Sequence, residues 1–596
     1  MSLQNPRPCV SRARVAGCTS QPTKTVRRLQ TLSSISEYGE AAPTATSRSK
    51  YDQATLRQLK SSFSGPLPAG CKWEQLERES PLNLLPVEKV DFILPTFRGN
   101  YAATHSEIHS SNLEVVHGEI PADFPNGTYV RNGPNAYLPP IGEKLPFIGE
   151  ARHHWFEGDG MLHATTIKDG QASFRNRFIR GEVVQQEMKL GFHIFRPVMD
   201  SDPLPMLLNA GLNMLLSGSV GKSSANTNVL QHADRVYALV ESSKPTEIDP
   251  CSLDTKGTYD FEGDLDFNFT AHPKKDVESG ELVFFGSELR QEAPFCYVGV
   301  VSPEGKLVHK AAVTGLASPS LMHDFSITST RTLLLDVPLG IDFNDVQPGE
   351  KLLQYNPEKA LRMGIMPRFG SGKDIKWVDI GKGGMVFHTV NAYDEGDYVV
   401  LQAMWAPDTT ISPPCDSESA YLKWIREEFL TGHSNACVIK EWKVNCVTGE
   451  LVSERILDTE QKLLEFPKIN PSFCGKHHTV SYSNFVDAEA TQAVGAPLYA
   501  GIQKIKETAD GSLQSSLHEM EAGVFCGEVD FIARPNATAE DDGWLVCYTH
   551  NEITGDSELR IVDCQDFTGP AAAIVKLPQR VPYGLHGAFI PEQSAA

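Results

Sequence analysis

From about Phe92 onward, this 596-residue chain reads as an all-β fold with a helical cap. Three observations carry that reading. Short alternating runs recur between tight-turn signals, as in antiparallel hairpins. Four lone histidines each close or open a strand-like run, far apart in the chain. One Met/Leu/Phe-rich stretch, Leu190 to Val220, breaks the β pattern.

Residues 1–36 carry Arg7, Arg12, Arg14, Lys24, Arg27 and Arg28 and no Asp or Glu, and a Ser/Thr/Ala/Pro-rich stretch runs on to Ser49. A basic, hydroxyl-rich, acid-poor start predicts a disordered organelle transit peptide over 1–50. Leu56, Leu59 and Phe63 fall at helical spacing, so 51–91 is expected to form an amphipathic helix, on the domain or on a membrane, followed by a Pro- and Gly-punctuated arm. The main domain is then 92–596.

Within it, six turn signals precede alternating runs. They are Lys168-Asp169-Gly170, Thr255-Lys256-Gly257, Glu278-Ser279-Gly280, Pro303-Glu304-Gly305, Val447-Thr448-Gly449 and Ala509-Asp510-Gly511. No fixed-period repeat is present. Leu190 to Val220 predicts a greasy helix with Asn209 and Asn213 on one side at i, i+4, and it is too short and interrupted to cross a bilayer.

A net charge of −21 disfavours the nucleic-acid backbone as a partner. Twelve cysteines at irregular spacing, with no Cys-x-x-Cys pair, read as reduced thiols serving as small apolar residues.

The histidines are the candidates for chemistry. His388 ends the run Gly383-Gly384-Met385-Val386-Phe387, ahead of the acidic turn Asp394-Glu395-Gly396-Asp397. His272 follows Phe269-Thr270-Ala271, His323 follows Leu321-Met322, and His586 follows Tyr583-Gly584-Leu585. Spacings of 51, 65 and 198 residues exclude a finger or a helical His pair. If these four meet, distant strands bring them together, as the converging inner strands of a β-propeller do. Imidazole suits Zn, Cu, Fe and Ni alike, so the residues alone do not name a metal.

Further strings extend the pattern: Asn126-Gly127-Thr128-Tyr129-Val130-Arg131-Asn132-Gly133-Pro134-Asn135, His154-Trp155-Phe156-Glu157-Gly158-Asp159-Gly160-Met161-Leu162-His163, Glu465-Phe466-Pro467-Lys468-Ile469-Asn470 and Glu540-Asp541-Asp542-Gly543-Trp544. With the histidines, and in the same order over about Asn112 to Pro591, they resemble the carotenoid cleavage dioxygenases (carotenoid oxygenases) of plant type, nearest the zaxinone synthase branch. Glu157 stands where Asp is more usual.

The resemblance implies a seven-bladed β-propeller with a metal on its axis and an α-helical dome over the top face, to which 190–220 contributes. It implies one Fe(II) per chain held by His272, His323, His388 and His586, the catalytic and metal residues. Glu241, Glu465 and Glu528 would orient three of the imidazoles, leaving His272 without such a partner. Each glutamate adjoins apolar residues, a costly place for an unpaired charge.

O2 would be the co-substrate and a hydrophobic carotenoid or apocarotenoid the substrate, cleaved at a C=C bond into two carbonyl products. The location implied is the plastid, in the stroma or on the thylakoid or plastoglobule membrane through 190–220. One alternative is a stilbene-cleaving oxygenase, against which His153 and Val183 stand where such relatives carry a Tyr and a Lys. A polyene isomerase is another, set against the leader and the plant-type motifs. A third is a non-catalytic apocarotenoid-binding propeller.

His153, His154 and His163 are assigned turn geometry and hydrogen bonds. His477 and His478 are left out of the site, because neighbours on a strand face opposite ways.

Overall fold

The hairpin chemistry builds seven antiparallel sheets of four or more strands, described here from a computed structural model. The described residues are 49–592 apart from 77–87, 90–93, 146–147, 218–220, 342–352, 410–417, 431–436 and 458–461. Six sheets follow one another in the chain, over 228–258, 274–312, 326–382, 385–456, 464–519 and 524–576. The remaining sheet joins the two ends of the chain. Strand Gly587–Pro591 pairs with Gly127–Arg131, Gly587 lying opposite Arg131, and Gly127–Arg131 pairs in turn with Met161–Lys168. Near the other end, Val115–Gly118 pairs with Ala573–Lys576. Both pairings cover strand edges that would otherwise be open to another chain.

Apolar clusters connect the sheets in sequence. Val130 and Leu162 pack with Val229 and Val236, Tyr237 with Phe284, and Val298 with Leu334. Leu361 packs with Trp442, Met404 with Phe485, Ile502 with Leu545, and Tyr548 with Tyr129, which returns to the first sheet. Each fully buried side chain of this size contributes roughly 1.5–3 kcal/mol.

Five of the six turn signals fall between paired strands. At Asp169-Gly170 both residues have positive φ, as a two-residue hairpin turn needs. Thr255-Lys256-Gly257 is the exception. It lies inside the edge strand Thr255–Thr258, where the pairing with Thr246–Ile248 shifts register and Gly257 takes up the irregularity at φ 136°.

The predicted amphipathic helix spans Gln53–Ser64, capped by Asp52 accepting from Thr55 N. Its apolar face rests on the protein: Leu59 and Phe63 are buried in a cluster with Phe97, Tyr101 and Trp424. Residues 1–48, most of the predicted leader, lie outside the described residues, whereas Lys50 Nζ donates to Met520 O at 2.7 Å.

The interruption of the β pattern is helix Pro203–Ser217. Asn209 and Asn213 do share one side, which is the buried one. Asn209 Nδ2 donates to Pro197 O, and Asn213 exchanges two bonds with the Arg196 backbone. Leu207, Leu208 and Leu215 on the opposite side are exposed, Leu215 at 82%, and so is Leu216 in the last turn. No helix among the described residues is long and apolar enough to cross a membrane.

The Glu540-Asp541-Asp542 string staples neighbouring sheets together. Glu540 accepts from Thr479 N and Val480 N, and Asp541 takes Lys504 at 2.8 Å and Lys506 at 3.0 Å. Burial works to raise the Asp541 carboxyl, but the two lysines hold it at about 2. A depressed carboxyl stabilises the fold above its unfolded pKa, ~3.9, and that contribution disappears as pH falls through about 2. Asp541→Asn should therefore lower the melting temperature at pH 7, with the deficit vanishing toward pH 2. A constant deficit across a pH series would refute the linkage.

Candidate metal centre

Each of the four histidines sits at an edge strand of a different sheet. His272 comes just before Lys274–Lys275, His323 before Ser326–Ile327, and His586 immediately before Gly587–Pro591. His388 lies within Met385–Glu395, where pairing with Tyr398–Ala406 slips register between Val386 and Thr389. Such an irregularity frees a side chain from the ladder and re-aims it. All four are buried, and one ligand atom from each lies within 4.8 Å of the others, so together they could hold a metal ion.

Three carboxylates fix three of the rings from behind. His323 Nδ1 donates to Glu241 at 2.7 Å, His388 Nδ1 to Glu465 at 2.6 Å, and His586 Nδ1 to Glu528 at 2.9 Å. A ring whose Nδ1 carries the proton presents a lone pair at Nε2. Those lone pairs face one another. His272 Nε2 and His323 Nε2 are 3.0 Å apart, and His388 Nε2 is buried with no hydrogen-bond partner. A cation satisfies such a set, and carboxylate–histidine pairs are the usual support of metal ligands. The residues fit a metal.

The electrostatics differ from ring to ring. Burial, followed by the three neighbouring imidazoles, pushes His272 well below its usual range, keeping it neutral. Burial also acts to lower His388, but the Glu465 carboxylate outweighs it and the pKa rises. For Glu528, burial would raise the carboxyl, yet Lys468 at 3.6 Å and His586 hold it at about 2. Aromatic rings wall the cluster. Phe387 stacks on His323 at 3.9 Å, and Phe466 lies 5.8 Å from the His388 ring and 5.5 Å from His586. Phe466 has φ 55°, an unfavourable conformation for a bulky residue next to the site.

Several supporting residues were missed from the sequence. Asp324 accepts from Thr389 N at 2.8 Å and pairs with Lys274 at 2.7 Å; Lys468 lies between Glu528 and Asp530. The available signal was a charged residue within two or three positions of a candidate ligand, in apolar surroundings.

Of the three histidines assigned structural roles, two form local bonds, whereas His163 is buried with its Nδ1 unpartnered. His153 Nδ1 accepts from Ile141 N, and His154 Nδ1 accepts from Phe156 N at the start of a short helical turn. His477 and His478 are not on a strand. They occupy the loop before Val480–Val486, where His478 is buried and His477 exposed. A surface cavity of about 560 Å³ around Asp276, Ser329, Arg368 and Phe369 shares no residue with the histidine cluster.

A mainly β fold in which four buried histidines converge, three of them backed by carboxylates, defines a metal-dependent enzyme class, and comparison with known proteins identifies the family. Residues 101–591 match the family described as RPE65, Retinal pigment epithelial membrane protein. The carotenoid 9,10(9',10')-cleavage dioxygenase 1 of Pisum sativum is 32% identical, covering 83% of this chain and 89% of that protein. Resveratrol cleavage oxygenase 1 of Aspergillus fumigatus is 31% identical over 83% of this chain and 95% of its own length. Among solved structures, the cobalt-substituted Synechocystis apocarotenoid oxygenase has TM-score 0.68 and 26% identity, covering 82% of this chain and 97% of that one.

The chain belongs to this family of carotenoid, apocarotenoid or stilbene cleavage oxygenases, and it is a dioxygenase.

Proposed function

We propose that this dioxygenase binds one Fe(II) per chain through His272, His323, His388 and His586 and cleaves one C=C bond of a carotenoid or apocarotenoid with O2, giving two carbonyl products. The observation that carries the reading is the convergence of four buried imidazoles with no carboxylate among them, three backed by glutamates. Five of the six ring pairs have centroids 4.4–5.0 Å apart, and His323 with His586 is the pair that makes no ring contact. Four ligands on an octahedron with two neighbouring positions free have five adjacent pairs and one opposite pair, whereas a tetrahedron makes all six alike. The choice of iron rests on the family resemblance, since imidazole ligands alone do not name the metal.

When bound, iron supplies the activation of dioxygen. The protein's own residues orient the imidazoles, and Phe387 and Phe466 keep water away from them. Neither step requires a side-chain acid or base.

In this reading the seven sheets are the blades of a β-propeller over 92–596, with the metal on its axis. Helix Pro203–Ser217 belongs to a dome over the top face. Support comes from the pairing of Gly587–Pro591 with Gly127–Arg131 and from the apolar clusters that link each sheet to the next. The exposed leucines of the helix would rest on a plastid membrane, reached after a leader over 1–50 has been removed. Replacing Leu207, Leu208, Leu215 and Leu216 with serine should then reduce partitioning onto plastid-lipid vesicles several-fold without changing the fold. Unaltered partitioning would remove membrane contact from the reading.

The decisive test is anaerobic Fe(II) loading followed by product analysis on C40 carotenoids, shorter apocarotenoids and resveratrol. Two carbonyl products from a polyene, appearing only with iron and O2, are expected. The resveratrol cleavage relative gives the stilbene reading its one specific support, so cleavage of resveratrol alone would replace the proposal with it.

A further inference from the structure

His272 is the ligand candidate with no glutamate behind it, so something else must hold it in register with the others. We infer that Asp324, through Lys274 and Thr389, is a positioning residue that fixes His272, His323 and His388 relative to one another. The inference rests on the four-histidine reading above.

Asp324 is buried, and both of its carboxylate oxygens are fully engaged. Oδ1 pairs with Lys274 Nζ at 2.7 Å and accepts from Phe325 N at 2.7 Å. Oδ2 accepts from Thr389 N at 2.8 Å and Thr389 Oγ1 at 3.0 Å. Lys274 stands two residues after His272, Asp324 directly after His323, and Thr389 directly after His388. One side chain thus ties together three chain segments at the edges of three different sheets, each segment holding one of three histidines.

With both oxygens engaged in this way, Asp324 acts through its neighbours and does not itself serve as a ligand. Charge-assisted bonds of this kind are short and geometrically demanding. They also span long stretches of chain, and Thr389 Oγ1 adds a bond to Phe325 O at 2.9 Å between the second and third of these segments. The remaining histidine is held separately: Glu528 Oε2 accepts from Gly587 N at 2.9 Å, next to His586. The backbone near His272 has two further anchors, His272 N donating to Thr270 Oγ1 at 3.0 Å and Asn228 Nδ2 to Ala271 O at 2.7 Å. Both lie on the side before His272. The tie through Lys274 secures the side after it.

A metal site needs its donors placed within about 0.5 Å. Loosening the Asp324 ties should therefore change how the cluster grips a metal before it changes the fold. The test uses the full chain loaded with Co(II), whose visible absorption reports ligand geometry, together with the rate of Co(II) transfer to EDTA.

Asp324→Asn should release Co(II) about tenfold or more faster than the unsubstituted protein, with a shifted cobalt spectrum and unchanged far-ultraviolet circular dichroism. Lys274→Gln should show the same changes at smaller size, and Lys274→Arg, which keeps the ion pair, should restore the original spectrum. A folded Asp324→Asn protein with the original spectrum and a release rate within about twofold of the original would overturn the inference. Should Asp324→Asn fail to fold, the lysine pair decides: indistinguishable Gln and Arg variants would overturn it equally. If the unsubstituted protein takes up no Co(II), the four-histidine reading itself fails, and this inference with it.

Discussion

His388→Ala is expected to reduce bound iron to background and to remove carbonyl product altogether. His388 contributes the clearest evidence for a cation-binding site, a buried Nε2 with no hydrogen-bond partner. Its loss also has a second cost. Glu465, which holds Nδ1 at 2.6 Å, would keep a buried carboxylate without its main partner. Leaving a buried polar group unsatisfied costs on the order of 1–3 kcal/mol, so the metal-free variant should melt several degrees lower. Metal analysis on anaerobically loaded protein checks the first effect and calorimetry the second. Full iron content with normal turnover would remove His388 from the site.

Glu465→Gln is expected to weaken metal retention by about 10- to 100-fold and to slow turnover, with the fold intact. The carboxylate does three things at once: it accepts from His388 Nδ1, from the Phe466 backbone N–H at 2.8 Å, and from the Cys437 thiol at 3.7 Å. Glutamine preserves the shape and one acceptor but removes the charge, which makes His388 a weaker donor to the metal. The Phe466 bond also holds that residue at φ 55°, so relaxation of this turn would shift the ring that lies against both His388 and His586. Iron release to a chelator and kcat, measured on the same preparation, test the expectation. Unchanged values for both would make Glu465 a structural residue only.

Both predictions use residues that the sequence already singled out, and much of the site was readable there. The four histidines stood out because each punctuates an apolar run. Glu241, Glu465 and Glu528 were singled out by the family resemblance, and their apolar neighbours, a costly setting for an unpaired charge, agreed with it. Resemblance to one family joined those residues into a set; composition and spacing alone left the metal and even the meeting of the four open. Asp324, Lys274 and Lys468 were overlooked. A charge beside a candidate ligand was visible in the sequence, but its partners 50 and 65 residues away were not, and an ion pair of that span exists only once the strands are stacked.

Local chemistry determined the strands and most of the turns. Asp169-Gly170 must turn because its residues adopt positive φ cheaply, and the run that opens strand Leu282–Ser287, Leu282-Val283-Phe284-Phe285, must be buried because it is apolar. The same local logic misplaced Thr255-Lys256-Gly257, where an edge-strand irregularity carries the signature of a turn. It also left helix Gln53–Ser64 undecided between a membrane and the protein, since an apolar stripe does not identify what covers it. Tertiary structure settled that question by setting Leu59 and Phe63 against Phe97 and Tyr101.

Tertiary structure also decided what backs each imidazole: Glu241 for His323, Glu465 for His388, Glu528 for His586, and for His272 only backbone anchors and the Lys274–Asp324 pair. Sequence determines which residues carry donors and charges and which backbone conformations they accept, because those are properties of short stretches. Distances between residues far apart in the chain depend on how whole sheets pack, and only the folded chain fixes those.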